Sequence, residues 1–431
     1  MASRIVIACW GSHGDLFPYI GLALALKRHG HHPVIATNVG YRGEVEREGI
    51  ELVEAGPPID PHAPNALELY ERVMDPVKGS EVIVRELLMP KLRETYEQLR
   101  SAVAGADLLV THPITYAGPI VAEHARLPWL STVLAPLSFF SARDSAVLPT
   151  APRLNDLPIL GPWLARTILR LARPTLRRWV QPVAVLRAEL GLPPGGHPLM
   201  EGQFSPHGTL ALFSRVLATP QPDWPPNVTV AGTVLYNGSE PLSSELEAFL
   251  AAGEPPVVFT LGTSAVGAAG GFYRESAAAA AKLGVRAVLL TGGFARNRPQ
   301  SLPPSMLAVD RAPHQWLFPR ASAVVHQCGA GTTAQALRAG RPALLVPHGH
   351  DQFDNARRVR KLGVARTLLP KAYRAPRVAH ELAALLREPR YRERAAAVSI
   401  VVREERGAEA SVAVIERLLA QSRAGRARVA T

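Results

Sequence analysis

Short, continuous runs of apolar residues alternate with longer stretches of helical periodicity along most of the chain. The first run, RIVIACW, covers residues 4–10, and YIGLALALKRHG at 19–30 follows a turn with the apolar spacing of a helix that closes at Gly30. A second run, HPVIATN, occupies 32–38. Strands buried on both faces of a parallel sheet read as continuous apolar runs, with crossover helices between them. This pattern predicts an α/β protein with a doubly wound sheet.

The alternation continues and then restarts after a break rich in proline. In the first half the runs DLLVTHP (107–113) and PWLSTVLAP (128–136) flank a predicted helix at 117–125. The break is ATPQPDWPPN at 218–227. Beyond it, strands and helices alternate again; the predicted strands are PPVVFTLGTS (255–264), RAVLLTGG (286–293), SMLAVDRAP (305–313), SAVVHQCGAGTT (322–333) and PALLVPHG (342–349).

We therefore predict two Rossmann-like domains that face each other across a cleft. The first would span residues 1–217, the linker 218–227 and the second domain 228–407. The last helical segment, about 408–422, is free to pack back on the first domain. Ligands of open α/β sheets bind at the carboxyl ends of the strands, so the cleft is the expected site.

Composition fits a well-packed globular protein, with 47% hydrophobic and 19% charged residues among 431. The two cysteines, Cys9 and Cys328, are too few and too far apart for a disulfide framework, which favours a reducing compartment. The first residues, MASRIVIACW, lack the pattern of a signal peptide, and no stretch approaches the length of a membrane span. We expect a cytoplasmic protein.

The net charge of +12 raises the question of an anionic partner. No nucleic-acid motif accompanies it and aromatic residues make up only 6%, which argues against nucleic acid. The most concentrated basic stretch, residues 165–187, predicts one or two amphipathic helices broken near Pro174. It is either a solvated helix face or a peripheral contact with the inner face of a membrane. The oligomeric state is left open.

The segment VVHQCGAGTTAQAL combines a buried strand, a glycine-rich turn and a helix that begins with threonines. Gly329 and Gly331 would let the backbone approach a ligand closely. Free amides of the first helical turn, together with the hydroxyls of Thr332 and Thr333, would form a site for a diphosphate. A plain strand-to-helix turn capped by threonine is the alternative.

A longer stretch, RAPHQWLFPRASAVVHQCGAGTTAQALRAGRPALLVPHGHDQFDNARR, resembles the donor-binding signature of family 1, UDP-glycosyltransferase-like enzymes of the GT-B fold. It is most similar to the bacterial branch with antibiotic, sterol and rhamnolipid glycosyltransferases. The N-terminal GSHGDLFPYIGLALALKRHGH and the intervening VVFTLGTS extend the resemblance along the chain. It implies a nucleotide-sugar co-substrate, without another cofactor.

The resemblance also implies roles for individual residues in binding the donor. Asp351 and Gln352 would hydrogen-bond hydroxyls of the sugar, and Asn355 completes the DQxxN pattern. The LGTS loop would lie on the phosphate side, and Ala312 would contact the base through its backbone. The loop residues concerned are Gly262, Thr263 and Ser264.

Three donor positions depart from the family pattern. Arg311 replaces the usual base-stacking Trp and could stack through its guanidinium. Gln327 occupies the place of the usual diphosphate-binding His, while His326 lies one residue earlier and would point to the opposite face of the strand. A ribose-binding Glu is replaced by Gln335, which leaves both UDP and dTDP donors open.

The resemblance places the catalytic base in the first loop. The family's usual His aligns with Asp15 in GDLFP, and an Asp that orients the His aligns nearest to His112. We hypothesise a transposed pair, Asp15 with His112, in which the surroundings would have to raise a carboxyl pKa of about 3.9. His13 is the competing base, and Asp15 could instead cap a helix that starts near Pro18.

The acceptor pocket is expected in the first domain. Phe139, Phe140 and Leu148 lie in LAPLSFFSARDSAVLP after a strand end, where they would line an apolar pocket or else belong to the core. No metal site is predicted, because the helix N-terminus can stabilise the leaving diphosphate and HGHD at 348–351 has strand-like spacing.

These features together predict an inverting, metal-independent glycosyltransferase. It would move a hexose, such as glucose or a deoxyhexose like rhamnose, to a hydroxyl of a small lipophilic natural product, sterol or lipid. The alternatives are a nucleotide-sugar-binding auxiliary protein without turnover and a GT-B nucleotide-sugar epimerase.

Overall fold

The computed structural model describes residues 2–58, 66–147, 161–236, 238 and 240–430. Its first sheet is parallel and has the order β3-β2-β1-β4-β5-β6-β7 when the strands are numbered along the chain. These strands are β1 (Arg4–Ala8), β2 (His32–Thr37), β3 (Glu51–Glu54), β4 (Leu108–Thr111), β5 (Trp129–Val133), β6 (Thr209–Ala211) and β7 (Val228–Val230).

The second sheet is also parallel, with the order β10-β9-β8-β11-β12-β13. Its strands are β8 (Val257–Thr260), β9 (Ala287–Leu290), β10 (Met306–Val309), β11 (Ala323–His326), β12 (Ala343–Leu345) and β13 (Ala365–Thr367). Both sheets have the reversal of strand order that is typical of a doubly wound fold, so the predicted architecture is confirmed.

Helices cover both faces of each sheet. In the first half they are α1 (His13–Arg28), α2 (Arg42–Arg47), α3 (Ala66–Val73), α4 (Gly79–Glu81), α5 (Leu92–Ala102), α6 (Ala117–His124), α7 (Gly161–Trp179) and α8 (Gln181–Glu189), with a π-helical stretch at Val82–Leu88. In the second half they are α9 (Ser244–Ala251), α10 (Phe272–Leu283), α11 (His314–Leu317), α12 (Ala330–Ala339), α13 (Gln352–Lys361), α14 (Ala375–Arg387), α15 (Pro389–Glu404) and α16 (Gly407–Ala430). Among the described residues, no helix is both long and apolar enough to cross a bilayer.

The passage between the domains lies later than the predicted linker. Strand β7, Val228–Val230, pairs with β6 and therefore belongs to the first sheet. Trp224, inside the predicted linker, is buried against Phe139 with ring centroids 4.0 Å apart. The boundary at residue 228 is thus wrong. The Pro-rich stretch 218–227 is a largely exposed connection between β6 and β7 of the first domain, and its Trp224 contributes to that domain's core.

The C-terminal helix α16 returns to the first domain, the arrangement that the sequence left open. Val412 and Ile415 are fully buried in the cluster that contains Leu22 of α1. At the rim, Glu409 accepts a hydrogen bond from Arg28 at 2.9 Å. The chain therefore crosses between the two halves twice, once after β7 and once before α16.

The two halves meet where α1 and α12 begin. A Cβ atom added to Gly331, in the first turn of α12, would lie 4.0 Å from the Cα of Gly14 in the first turn of α1. Both helices follow the central strands of their sheets, β1 and β11. The two helix N-termini therefore face each other across the cleft, and the small residues let their backbones come close.

Candidate active site

The turn from β1 into α1 is held by its own polar side chains. The helix begins at His13 and not near Pro18, with Ser12 as its N-cap. The carboxylate of Asp15 accepts hydrogen bonds from the amide and the hydroxyl of Ser12, at 2.7 and 3.0 Å. Gly11 has φ of +136°, and a Cβ there would lie 2.4 Å from Oδ2 of Asp15. Asp15 thus closes a capping box from the third helical position rather than serving as the N-cap.

His112, which directly follows β4, approaches the other oxygen of Asp15. Its Nε2 lies 3.6 Å from Oδ1 of Asp15; the imidazole is 6% exposed and the carboxylate 35% exposed. The amide of Ile114 donates to Nδ1 of His112 at 3.5 Å, which assigns the proton to Nε2. The structure therefore brings together the two residues of the hypothesised pair, with the carboxylate on the side of the cleft.

The surroundings of Asp15 do not raise its pKa. Burial alone would raise it, but the imidazole of His112 and then the amide and hydroxyl of Ser12 outweigh that effect, and the pKa lies below its ordinary value. The expectation of a raised pKa is therefore wrong. The carboxylate is ionised throughout the neutral range because donors surround it.

His13 has a different set of neighbours from Asp15. Its Nε2 lies 3.3 Å from a carboxylate oxygen of Glu44, and its ring packs edge-on against Tyr41 and Phe17. Burial lowers the pKa of His13, and the nearby cation of Arg311 lowers it further, although Glu44 acts in the opposite direction. His13 is thus a neutral imidazole that Glu44 already engages.

The predicted phosphate loops of the second domain lie in direct contact. A Cβ atom added to Gly262, which has φ of +59°, would lie 2.1 Å from Nε2 of Gln327 and 3.2 Å from Oγ1 of Thr332. Gly329 is the N-cap of α12, and no side chain in the described part of the chain caps that helix. Oε1 of Gln327 and Oγ1 of Thr333 are buried without a hydrogen-bond partner among the described residues. The first turn of α12 therefore offers amides and side-chain oxygens to a ligand.

Gln327 and His326 point in different directions, as strand alternation requires. Nδ1 of His326 accepts a hydrogen bond from the amide of Cys328 at 3.2 Å, and the side chain is buried. Burial, together with the neighbouring His314, lowers the pKa of His326 to about 3. His326 is therefore a neutral residue that stabilises the loop, and Gln327 is the member of the pair that contacts Gly262.

Asp351 and Asn355 form a hydrogen-bonded pair at the start of α13. Nδ2 of Asn355 donates to Oδ2 of Asp351 at 2.7 Å and to the carbonyl of Cys328 at 2.9 Å. Burial raises the pKa of Asp351 to about 7, and the charge of Asp15 adds to the rise while Asn355 lowers it. The pair thus ties α13 to the loop before α12, and Asp351 is electrostatically coupled to Asp15.

Gln352 is fixed by the loop that precedes it. Its Oε1 accepts hydrogen bonds from the amides of His348 and Gly349, at 2.9 and 3.3 Å, and the residue is 2% exposed. Since the amide oxygen is occupied, Nε2 is the group that Gln352 can offer to a ligand. His350 has φ of +55°, and its Nδ1 lies 3.2 Å from Oγ of Ser80 in the first domain.

The remaining predicted donor residues lie at the rim of this site. Thr263 and Ser264 follow β8 and are half-buried, as is Gln335 in the second turn of α12. Ala312 packs beside the core cluster that includes Phe318, and Arg311 is exposed.

The predicted acceptor residues are not brought together. Phe139 is buried in an aromatic cluster with Trp224, Phe204 and Phe213, so its assignment to a pocket is wrong and the core alternative holds. Phe140 is half-buried with φ of +48°. Leu148 lies outside the described residues.

Two clefts flank the segment after β4 instead. One is a narrow cleft lined by His112, Val183 and Arg187 among others. The second, also narrow, is lined by Trp10 and Leu92 among others, and Thr115 and Tyr116 border both clefts. Of these lining residues, Trp10 follows β1 and Thr115 follows β4, a position at the carboxyl edge of the sheet that could have been read from the sequence.

A buried ion network ties α13 to the loop after β5. Arg358 pairs with Asp354 at 2.7 Å and with Asp144 of the first domain, and it donates to the carbonyl of Leu217 at 3.1 Å. Oδ1 of Asp354 accepts from the amide of Val147 at 3.2 Å. The helix that carries Asp351 is thus joined directly to the acceptor side. The i,i+4 spacing of Asp354 and Arg358 was a signal available in the sequence.

Comparison with known proteins gives a consistent result. The family model described as erythromycin biosynthesis protein CIII-like, C-terminal domain, matches residues 276–420. The chain is 33% identical to O-mycaminosyltylonolide 6-deoxyallosyltransferase of Streptomyces fradiae, over 96% of this chain and 97% of that protein.

Solved structures share the architecture. Spinosyn forosaminyltransferase SpnP superimposes with a TM-score of 0.72 at 19% identity, covering 97% of this chain and all of the other. Spinosyn rhamnosyltransferase SpnG, complexed with thymidine diphosphate, gives 0.67 at 19% identity, covering 96% of this chain and all of the other. At this level of identity the likeness concerns the fold.

Proposed function

The chain belongs to the family 1 GT-B glycosyltransferases of the antibiotic branch, and we propose that it transfers a hexose with inversion from a nucleoside diphosphate sugar to a hydroxyl of a small lipophilic natural product or sterol. The observation that carries the proposal is the Asp15–His112 pair, at 3.6 Å, opposite the open N-terminus of α12. One side supplies a proton acceptor and the other a place for the leaving group.

In the proposed reaction the acceptor oxygen attacks the anomeric carbon while the bond from that carbon to the diphosphate oxygen breaks. The bonding electron pair leaves with the diphosphate, which the first-turn amides of α12, Thr332 and Gln327 stabilise. The hydroxyl proton passes to a carboxylate oxygen of Asp15. Although Asp15 is a weak base, the hydroxyl becomes strongly acidic as its oxygen bonds to carbon, so a weak base suffices late in the step.

His112 would hold Asp15 in place and stabilise its charge before the transfer. The Nε2 proton of His112 faces Oδ1, which leaves the exposed side of the carboxylate for the acceptor hydroxyl. Asp351 and Gln352 would bind hydroxyls of the donor sugar, because a carboxylate accepts hydrogen bonds from hydroxyls and the amide nitrogen of Gln352 donates to them. The acceptor would approach Asp15 from the side of Thr115 and Tyr116, where two narrow clefts meet.

A dTDP-activated deoxyhexose is the donor we favour over UDP-glucose. The relative from Streptomyces fradiae is named as a deoxyallosyltransferase, and SpnG was solved with thymidine diphosphate. Gln335 is a neutral residue where a ribose-gripping Glu would favour a uridine donor. The choice between the two donors is a proposal that the following experiment decides.

The test incubates the purified chain with dTDP-rhamnose, other dTDP-deoxyhexoses or UDP-glucose and pooled macrolide, polyketide and sterol acceptors. We expect a glycosylated product whose anomeric configuration, measured by NMR coupling, is opposite to that of the donor. Asp15→Asn should abolish the product, while Arg377→Gln, an exposed change on α14, should not. Retention of configuration would contradict the mechanism. Nucleotide binding without any transfer would favour the auxiliary protein, and an epimerised donor the epimerase.

A further inference from the structure

Helix α7 presents a basic, partly apolar face to solvent. Its residues Trp163 and Leu171 are 69% and 75% exposed, which is unusual for side chains of this size. The exposed arginines of the same helix are Arg166, Arg170, Arg177 and Arg178. Spacings of three, four and seven residues put all six side chains on one face of the helix. This surface is called the α7 face below.

All charged side chains of α7 are positive. Its 19 residues, Gly161–Trp179, contain five arginines and neither Asp nor Glu. Arg173 lies at the edge of the exposed face and pairs with Glu201. The remaining four arginines surround Trp163 and Leu171, so apolar side chains project from a cationic surface. That combination suits the interface of an anionic bilayer, where arginines meet lipid phosphates and a tryptophan lies at the level of the headgroups.

The position of α7 relates this face to the active site. The carbonyl of Arg173 lies 3.4 Å from Nε2 of His197, and its guanidinium contacts Sδ of Met200 at 3.5 Å. The segment 195–203 that α7 packs against lines the cleft that His112 also lines. Helix α7 is therefore next to a segment that lines the proposed acceptor side of the active site.

We propose that the α7 face docks on an anionic lipid surface and brings the acceptor cleft next to the bilayer. A lipophilic acceptor dissolved in the membrane would then reach His112 and Asp15 without crossing much water. The part that concerns the acceptor rests on the proposed function, whereas lipid docking itself does not. The vesicle experiment can therefore fail while transfer to a soluble acceptor succeeds. Equally, the protein can bind vesicles although no transfer is found.

The test measures binding of the full chain to sedimenting vesicles of phosphatidylcholine, with and without 30 mol% phosphatidylglycerol. We expect binding only to the anionic vesicles, and its loss in high salt because screening removes the attraction. The quadruple variant Arg166→Gln, Arg170→Gln, Arg177→Gln, Arg178→Gln should bind at least about 30-fold more weakly.

A matched control removes the same charge from elsewhere. Arg377, Arg387, Arg392 and Arg394 are exposed on α14 and α15, and their joint change to Gln should leave vesicle binding within about twofold. Equal loss in both quadruple variants would overturn the proposal, because net charge and not the α7 face would then govern binding. Thermal denaturation of both variants establishes that each is folded.

Fluorescence locates the contact. Brominated lipid in the anionic vesicles should quench the wild-type protein more than Trp163→Phe, because only Trp163 would reach the bilayer. Equal quenching of the two proteins would overturn the assignment to α7. A second outcome would also overturn the assignment: if the protein associates with itself without vesicles and the α7 quadruple variant does not, the α7 face is a contact between two copies of the chain.

Discussion

Helices α1 and α12 each follow a strand near the middle of their own sheet, β1 and β11, yet the positive ends of the two helices are satisfied in opposite ways. The first turn of α1 is capped by Ser12 and by the carboxylate of Asp15. The first turn of α12 begins at Gly329, with no side-chain cap among the described residues. In one helix the protein satisfies the positive end with its own anion, and in the other it leaves that end for an anion from outside.

The difference separates two chemical tasks on two strand–turn–helix units, one in each domain. Capping fixes Asp15 in a single orientation, with one oxygen toward Ser12 and the other toward His112. The missing cap at α12 keeps amides available but costs that helix some intrinsic stability. A proton acceptor needs a fixed position, whereas a diphosphate site needs unoccupied donors, and each helix end meets one of these requirements.

The largest effect is expected from Asp15→Asn. We expect kcat to fall by about 10²–10⁴-fold because the proton acceptor is lost. Donor affinity should stay within about twofold, and the fold should persist because the Asn oxygen can still accept from the Ser12 amide. Steady-state kinetics and calorimetry of donor binding measure both. Ser12→Ala serves as the control for lost capping, and an equally large loss of kcat there would show that Asp15 acts only through the helix.

Capping α12 should make it resemble α1. Gly329→Asp would place a carboxylate where it accepts from the first-turn amides, and we expect the affinity for dTDP or UDP to fall by at least about tenfold. The melting temperature should change little, since Gly329 already has extended φ and ψ of −60° and 150°, and the atom that an added Cβ would crowd, Nε2 of Gln327 at 3.0 Å, ends a flexible side chain. Gly329→Asn is the neutral control and should lose less. Unchanged nucleotide affinity in Gly329→Asp, measured by calorimetry, would exclude this helix end as the diphosphate site.

Removing His112 tests how Asp15 is held. Because the imidazole lowers the pKa of Asp15, His112→Ala should raise that pKa and move the acid limb of kcat/KM to higher pH. In the wild type that limb should lie below the ordinary Asp value of about 3.9. We expect kcat to fall by roughly tenfold at neutral pH. A pH–rate profile with unchanged limb and turnover would mean that Asp15 works alone.

The smallest effect is expected at Asp351, whose pKa is raised to about 7 by burial. Between pH 6 and 8 the group loses its proton, and the carboxylate can then accept from two sugar hydroxyls, so donor affinity should rise several-fold. The raised pKa also means that its contribution to folding stability falls as pH rises from about 4 to 7. Asp351→Asn should flatten the donor affinity profile. A profile that persists in this variant would assign the dependence to another group.

Local patterns predicted the sheets and the donor loops because each depends on residues near in sequence. Continuous apolar runs became buried strands, and the glycine-rich turn put Gln327 and Thr332 against Gly262. The SHGD spacing is also that of a capping box between Ser12 and Asp15, although we predicted that the helix starts later, near Pro18.

Long-range packing set the limit of prediction. The sequence could not decide whether Phe139 lines the acceptor pocket or belongs to the core. Its stacking partner Trp224 lies 85 residues away, in a stretch whose composition is typical of a linker. The contact of His13 with Glu44 depends on how α2 folds back over the first loop. The strand β7, three residues long, is too short to carry a periodic signal.

The ion network of Arg358 has a consequence for protein engineering. Its guanidinium is 5% exposed and is shared between Asp354 of its own helix and Asp144 of the other half. A hybrid that joins the front half of another protein to the rear half of this chain would keep Asp354 but lose Asp144, and a buried cation that loses one of its two carboxylates is destabilised. The front half of this chain should therefore be exchangeable only for one that supplies a carboxylate at the place of Asp144.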